Sequence, residues 1–296
     1  MQYIFYHTYK PFSTENPLVY YSKMRDNVRE DKVEVCSLFT RDMNGPYGGN
    51  MKLQQLYSYV RQSIDDYHMI QTGDRIAIGI SGGKDSLTLL YALAGLRRFY
   101  PDSFDLVAIS VDLGFEGFEL SAIKQLCESL QVDYHIVKTE IGKIVFEERQ
   151  EQSPCSLCAK MRKGALNESA MELHCNKVAY AHHMDDIIET MFLSMLYEGR
   201  FYSFAPVTQL DKTGLTVIRP LMYVPEANII GFQNRYQLPV VKNPCPADGV
   251  TRREYVKKLV QTINRDNPGV KKRIFHAIIN GNIEGWPLYG KEQNLS

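Results

Sequence analysis

From Arg75 onward the chain alternates short, continuous apolar runs with longer stretches whose apolar residues fall on one helical face. The first rhythm belongs to buried strands and the second to helices packed on a core. Ile76-Ala-Ile-Gly-Ile80, Leu106-Val-Ala-Ile-Ser-Val111, Val132 to Val137 and Lys177-Val-Ala-Tyr-Ala181 predict strands. Ser86 to Arg98, Leu120 to Leu130, Ser156 to Leu173 and Asp185 to Tyr197 predict the helices that follow them. Upstream, Leu53, Leu56, Tyr57, Val60 and Ile64 trace the apolar stripe of a further helix. Strands joined by helices imply a parallel sheet covered on both faces, with right-handed crossovers. The expected fold class is α/β: a parallel five-stranded sheet, of which these runs supply four strands, with helices on both faces and a helical C-terminal tail. That tail is read at residues 225–237, 251–264 and 268–280, the last opened by Pro268. Ligands of such sheets lie beyond the carboxyl ends of the strands, near the point where strand order reverses.

The first fifty residues carry neither rhythm and end in Asn44-Gly-Pro-Tyr-Gly-Gly-Asn50, which suggests a weakly ordered extension. The expected organisation is this extension over 1–50, the α/β domain over 51–240 and a basic helical segment over 241–296. Met51, following a Gly-Gly pair of the kind that a translated ribosome-binding site would give, is expected to be the native start. Intact-mass measurement of the native protein showing residues before it would refute that expectation.

The 34 basic and 34 acidic residues cancel, so whole-chain charge selects no partner. Distribution is more informative: Lys242 to Arg273 holds nine Lys or Arg against three Asp or Glu, and Lys160, Arg162 and Lys163 form a second basic cluster. Either cluster could equally be a solvated helix face. With no long apolar run and no secretory leader, a cytoplasmic protein without membrane contact is expected. A cytoplasmic setting also argues against reading the six cysteines as a disulfide framework.

Ser81-Gly-Gly-Lys-Asp-Ser86 lies between the first strand and its helix, where backbone N–H groups converge on an anion at the positive helix terminus. Gly82 and Gly83 allow close backbone approach, Lys84 adds a point charge, and the hydroxyls of Ser81 and Ser86 can donate to phosphate. The spacing is not that of a Walker loop. Val111-Asp-Leu-Gly-Phe115 ends the second strand, and Asp112 there is either a turn residue or a ligand contact. His182-His-Met-Asp-Asp186 ends the fourth strand and starts a helix, which puts two imidazoles and two carboxylates at the same sheet edge. An aspartate there, Asp185 or Asp186, could cap that helix, and one of the two carboxylates could hold magnesium directly or through water. Glu189 and Thr190 share the helical face of Asp186.

Cys155-Ser-Leu-Cys158 precedes a helix, and Cys245 lies far downstream in Asn243-Pro-Cys-Pro246. The three could belong to a redox pair, to a zinc site completed by His174 or another residue, to a persulfide carrier, or to an iron–sulfur site.

The Ser81–Ser86 loop resembles the PP-loop of the N-type ATP pyrophosphatases, which cleave ATP between the α and β phosphates and transfer AMP to a substrate oxygen. SGGKDS, PCSLCAKMRKGAL, AHHMDDIIET, RPLMYVPE and a late cysteine, in that order, further resemble the tRNA cytidine 2-sulfurtransferases, the TtcA family, from about Met51 to about Pro268. Two departures stand out: Lys160-Met-Arg-Lys163 where the family has an arginine pair, and Ser194 where asparagine is familiar. The resemblance implies a Rossmann-like, HUP-type domain that uses ATP and Mg2+. It assigns Ser81, Gly82, Gly83, Lys84, Asp85, Ser86, Asp112, His182 and Asp186 to the nucleotide. It gives Lys84, Asp85, Cys155 and Cys158 to catalysis, and Cys155, Cys158 and Cys245 to a 4Fe-4S cluster. It also implies tRNA as substrate at cytidine 32, a cysteine desulfurase or other sulfur donor as partner, and a homodimer. Uridine thiolation, lysidine synthesis and a non-catalytic RNA module are the rival readings.

Overall fold

The structure, a computed structural model, describes residues 51–115, 117–149, 154–241, 252–281, 283, 285 and 286. The N-terminal extension read over 1–50, and with it Cys36, lies outside the described residues, as does Cys245. In chain order the elements are α1 (Leu53–Asp66), β1 (Asp74–Gly79), α2 (Lys84–Leu96), β2 (Phe104–Asp112), α3 (Ser121–Ser129) and β3 (Asp133–Lys138). A helical turn at Ile141–Lys143 continues as one π-helical turn over Ile144–Glu148. Then come α4 (Pro154–Glu172), β4 (Lys177–Ala179), α5 (Met184–Tyr197), β5 (Val207–Gln209), β6 (Thr216–Ile218), α6 (Glu226–Tyr236), α7 (Arg252–Asp266) and α8 (Val270–Asn280). Among the described residues no helix is long and apolar enough to cross a membrane.

The sheet has six strands in the order β3-β2-β1-β4-β6-β5, one more than the sequence implied. All pairings are parallel except β5 against β6, where Val207 faces Ile218 and Gln209 faces Thr216. The expected five-stranded, wholly parallel sheet is corrected at this edge, because three-residue strands are too short to display a period. Strand order reverses between β1 and β4. The turns after these two strands therefore border one crevice.

β1 is buried from both sides, as its unbroken apolar run requires. Ala77 joins Val107, Ile109 and Val178 beneath Leu166 and Ala170 of α4, and a Cβ at Gly79 would lie 2.8 Å from a Leu166 methyl. By strand alternation, Ile76 and Ile78 point to the opposite face, and both are fully buried. The helix α2 is apolar almost all round and packs on α1 and α6, while α7 and α8 both pack on α5.

The amino ends of β1 and β4 are joined by a buried ion pair. Lys177 Nζ lies 2.7 Å from Asp74 Oδ2, with the two side chains 11% and 5% exposed, and donates to the Met69 carbonyl at 2.9 Å. Asp74 also accepts from Asn176 Nδ2 at 2.7 Å and from the Gln71 amide at 2.6 Å. Removing one partner leaves the other buried and uncompensated. Lys177→Met should therefore lower stability by about 3 kcal/mol in urea unfolding, and the double change with Asp74→Asn should recover part of that loss. A single variant as stable as the parent would refute this account.

Candidate active site

The loop between β1 and α2 turns on two glycines. Gly82 has φ +83, in the left-handed region, and a Cβ there would lie 3.2 Å from the Val241 Cβ. Gly83 is the N-cap of α2 and, having no side chain, leaves the first-turn amides without a side-chain cap. Ser81 and Ser86 close the turn. Their hydroxyls are 3.2 Å apart, Ser86 Oγ donates to the Gly83 carbonyl at 3.0 Å, and the Ser81 amide donates to Ser86 Oγ at 3.3 Å. Bare amides at a positive helix end, ringed by two hydroxyls, form an anion site.

Lys84, the first residue of α2, reaches Asp85 Oδ2 at 3.1 Å and Glu226 Oε1 at 3.2 Å. Glu226, the first residue of α6, shares the same oxygen with Lys257 of α7 at 2.8 Å. Burial works against the charge on Lys84, but Asp85 and Glu226 outweigh it and raise its pKa above the ordinary value. Burial likewise pushes Glu226 up, but Lys257 and Lys84 hold its carboxyl down at about 2.

Across the crevice, His183 caps α5. Its Nδ1 accepts from the Asp186 amide at 3.3 Å, and its own amide donates to Asp186 Oδ2 at 3.0 Å. This reciprocal pair turns His183 Nε2 toward Asp85 Oδ1, at 3.7 Å. That oxygen is buried and makes no hydrogen bond among the described residues. Asp185 is committed elsewhere, accepting from the Glu226 amide at 2.7 Å and from Lys271 Nζ at 2.6 Å. His182 points away from Asp85: it stacks on Phe204 with ring centroids 4.2 Å apart, and its Nδ1 accepts from Arg219 Nε at 3.3 Å. Burial, with the nearby charges of Arg219, Lys163 and Arg253, pushes the His182 pKa well below the ordinary imidazole value.

Ser81 and Gly83 form one side of a cleft of about 290 Å3, whose other walls include Asp112, Leu113, Phe115, Arg162 and Val241. Asp112 Oδ1 accepts from the Gly114 amide at 3.0 Å, so it holds the β2 turn and lines the cleft at once. Cys155 and Cys158 occupy the first turn of α4, neither in a disulfide, with Cys155 exposed and Cys158 buried. Cys158 packs with Leu113, Ile141 and Val145, and Phe115 lies against the same group. Leu113 and Phe115 are thus shared between Cys158 and the cleft. Among the described residues no group of three metal-ligating side chains converges.

These features, a glycine turn opening into an uncapped helix at the reversal of a parallel sheet, define a PP-loop nucleotide-binding domain. The family model described as a PP-loop domain matches residues 51–263. The tRNA-cytidine(32) 2-sulfurtransferase of Citrifermentans bemidjiense is 41% identical over 224 residues, covering 75% of this chain and 88% of that protein. Its counterpart in Geobacter sulfurreducens is 38% identical over 238 residues, covering 79% and 92%. Among solved structures, the U34-tRNA thiolase NcsA from Methanococcus maripaludis with its 4Fe-4S cluster superposes with a TM-score of 0.63 at 25% identity, covering 76% of this chain and 77% of that one. The chain belongs to the tRNA-cytidine(32) 2-sulfurtransferase family of PP-loop enzymes.

The sequence reading gave no role to Glu226, Lys257, Arg253 or Arg219. Glu226 and Arg219 are the two charged residues of the RPLMYVPE segment, and that was the available signal. Arg253 Nη1 reaches Asp186 Oδ1 at 3.4 Å and Glu189 Oε2 at 3.5 Å. Burial, reinforced by Asp186, raises the Glu189 pKa to about 7 despite Arg253. A raised carboxyl pKa leaves stability intact at pH values below the ordinary 4.5 and erodes it as pH climbs through about 7. Glu189→Gln should therefore melt above the parent at pH 8, with the gap closing as pH falls toward 4.5. Thermal unfolding at both pH values checks this, and a gap that does not change with pH would contradict it.

Proposed function

We propose that this chain uses ATP to adenylate the C2 oxygen of a cytidine in tRNA, at position 32 as in its named relatives, and exchanges that oxygen for sulfur. The observation that carries the reading is the sharing of Leu113 and Phe115 between the Ser81–Gly83 cleft and the Cys158 cluster. The nucleotide cleft and the Cys158 thiol thereby lie on either side of one shared apolar wall.

The bare α2 amides and the Ser81 and Ser86 hydroxyls receive the β and γ phosphates, and Asp112 meets the nucleoside end. The C2 oxygen attacks the α phosphorus, the bond to the bridging oxygen breaks, and pyrophosphate leaves. Its growing charge is met by preorganised amides and by Lys84. C2 then carries AMP, a better leaving group than the original oxygen, and a sulfur nucleophile that adds there expels it. Asp85 Oδ1, buried without a hydrogen bond, suits Mg2+, which takes one or two carboxylates together with substrate phosphates. Asp186, tied to the same crevice through His183, extends that polar wall.

The residues also fit a 4Fe-4S cluster. Cys155 and Cys158 are thiols on one helical turn, at the positive end of α4, with an apolar wall behind Cys158. Val241 donates its amide to the Gly82 carbonyl at 2.9 Å. Cys245 follows four residues further along the chain. Three cysteines leave one iron without a protein ligand, and that open iron supplies a place for incoming sulfur when the cluster is bound. A desulfurase-type donor in the cytoplasm would provide it.

Lys84→Ala should reduce tRNA-dependent AMP formation by roughly 100-fold to 1000-fold while anaerobic protein keeps its brown absorption. Cys158→Ala should keep AMP formation but yield no 2-thiocytidine in nucleoside mass spectra. AMP formation at the parental rate in Lys84→Ala, or thiolated product from Cys158→Ala, would refute the assignment.

A further inference from the structure

Beyond the nucleotide cleft, on the β6 side of β4, lies a group of cations that the adenylation chemistry leaves unused. Arg219 follows β6 and is only 8% exposed. Its Nε–H is held by His182, and its Nη1 donates to the Ala205 carbonyl and to Thr208 Oγ1, at 3.2 Å in the latter case. These neutral acceptors fix the guanidinium plane but leave its charge uncompensated. Among the described residues Arg219 faces no carboxylate, and its Nη2 donates no hydrogen bond.

Lys163, from α4, projects into the same region. Its Nζ lies 5.9 Å from the centre of the Tyr180 ring, and that ring stands 5.8 Å from His182. Lys163 too has no carboxylate partner among the described residues. Burial, then the charges of Arg219 and Arg253, lower its pKa; burial also lowers that of Arg219, to about 10. Of the three cations only Arg253 is paired. A buried charge normally has a counter-ion; Arg219, buried without a carboxylate beside the exposed Lys163, is built for an anion from outside the chain. The Phe204 ring carries His182 at 4.2 Å and the Arg219 guanidinium at 5.4 Å, which holds the guanidinium in place for an incoming phosphate.

We propose that Arg219 and Lys163 bind a backbone phosphate of the RNA substrate beside the target nucleotide, so that the RNA enters over β4 and β6 while ATP occupies the cleft over β1 and β2. The phosphates of ATP have their own site at the α2 amides, which is why the RNA is favoured as the source. Such a contact, at the turn next to His183 and Asp85, fixes the register of the base against the nucleotide. This inference rests on the proposed tRNA function and adds the path of the RNA to it.

The test is tRNA binding by filter retention over a range of salt concentrations, with binding of a non-hydrolysable ATP analogue measured in parallel. Lys163→Gln, whose side chain makes no hydrogen bond with a described residue, should weaken tRNA binding about tenfold at low salt. It should also reduce the slope of log K against log salt by about 0.7 to 1, the loss expected for one phosphate contact. Lys163→Arg should restore both, and affinity for the ATP analogue should not change in either variant. A parent-like tRNA slope in Lys163→Gln, with the parent itself binding and thiolating tRNA, would overturn this site and leave the function standing. Weaker binding of the ATP analogue with unaltered tRNA binding would reassign the cations to the nucleotide and overturn the proposal. A parent that does not bind tRNA would overturn the functional reading and this site together.

Discussion

Everything at the carboxyl edge of the sheet depends on how the chain leaves β1. A strand buried on both faces must hand its backbone to a helix within a few residues. Gly82 and Gly83 make this turn possible, Gly82 by taking a positive φ where a Cβ would crowd Val241. The N-cap position that would ordinarily hold Ser, Thr, Asp or Asn is empty of side chain, so the amides of α2 point into the crevice with no cap of their own. Local helix stability is given up at a place where an anion can restore it. The mirror-image choice is made at α5, where His183 and Asp186 cap each other fully. That capping leaves the crevice with one open helix end and one closed one, and so with a direction.

Around this edge the charges are arranged as a lattice. Lys84, Glu226 and Lys257 form a chain from α2 through α6 to α7. Asp185 ties α5 to the start of α6 and to Lys271 of α8. Arg253 of α7 spans Asp186 and Glu189 of α5. The late helices are therefore part of the site's electrostatics, and the matched PP-loop region accordingly extends through most of α7. Several of the described cations of this tail face carboxylates across the crevice. Among the described residues, Arg219 and Lys163 beside the crevice have no carboxylate partner.

The parts of the fold that were legible in the sequence are those with a long enough rhythm. β1 and β2 carry apolar runs of five or six residues, and the helices that follow span two to four turns, so their order and their edge loops could be read directly. β5 and β6 could not, because three residues show no period and their pairing is set by distant partners. The Ser81–Ser86 loop and the Cys155–Cys158 pair declared themselves by spacing. The roles of His182 and His183 did not: adjacent in sequence and identical in type, they are separated only by the helix cap, which claims the second and leaves the first to Phe204 and Arg219. Contacts across long sequence separation, such as Lys84 with Glu226, have no local signature beyond the segment that contains them.

The sharing of one Glu226 oxygen by two ammonium groups has a mechanical corollary. Were Lys84 the sole partner, swinging it toward an incoming phosphate would strand a half-buried carboxylate, at a cost comparable to the gain. With Lys257 at 2.8 Å the carboxylate stays matched throughout the swing. Glu226 is accordingly a doubly matched post that keeps a counter-ion whether or not Lys84 stays beside it.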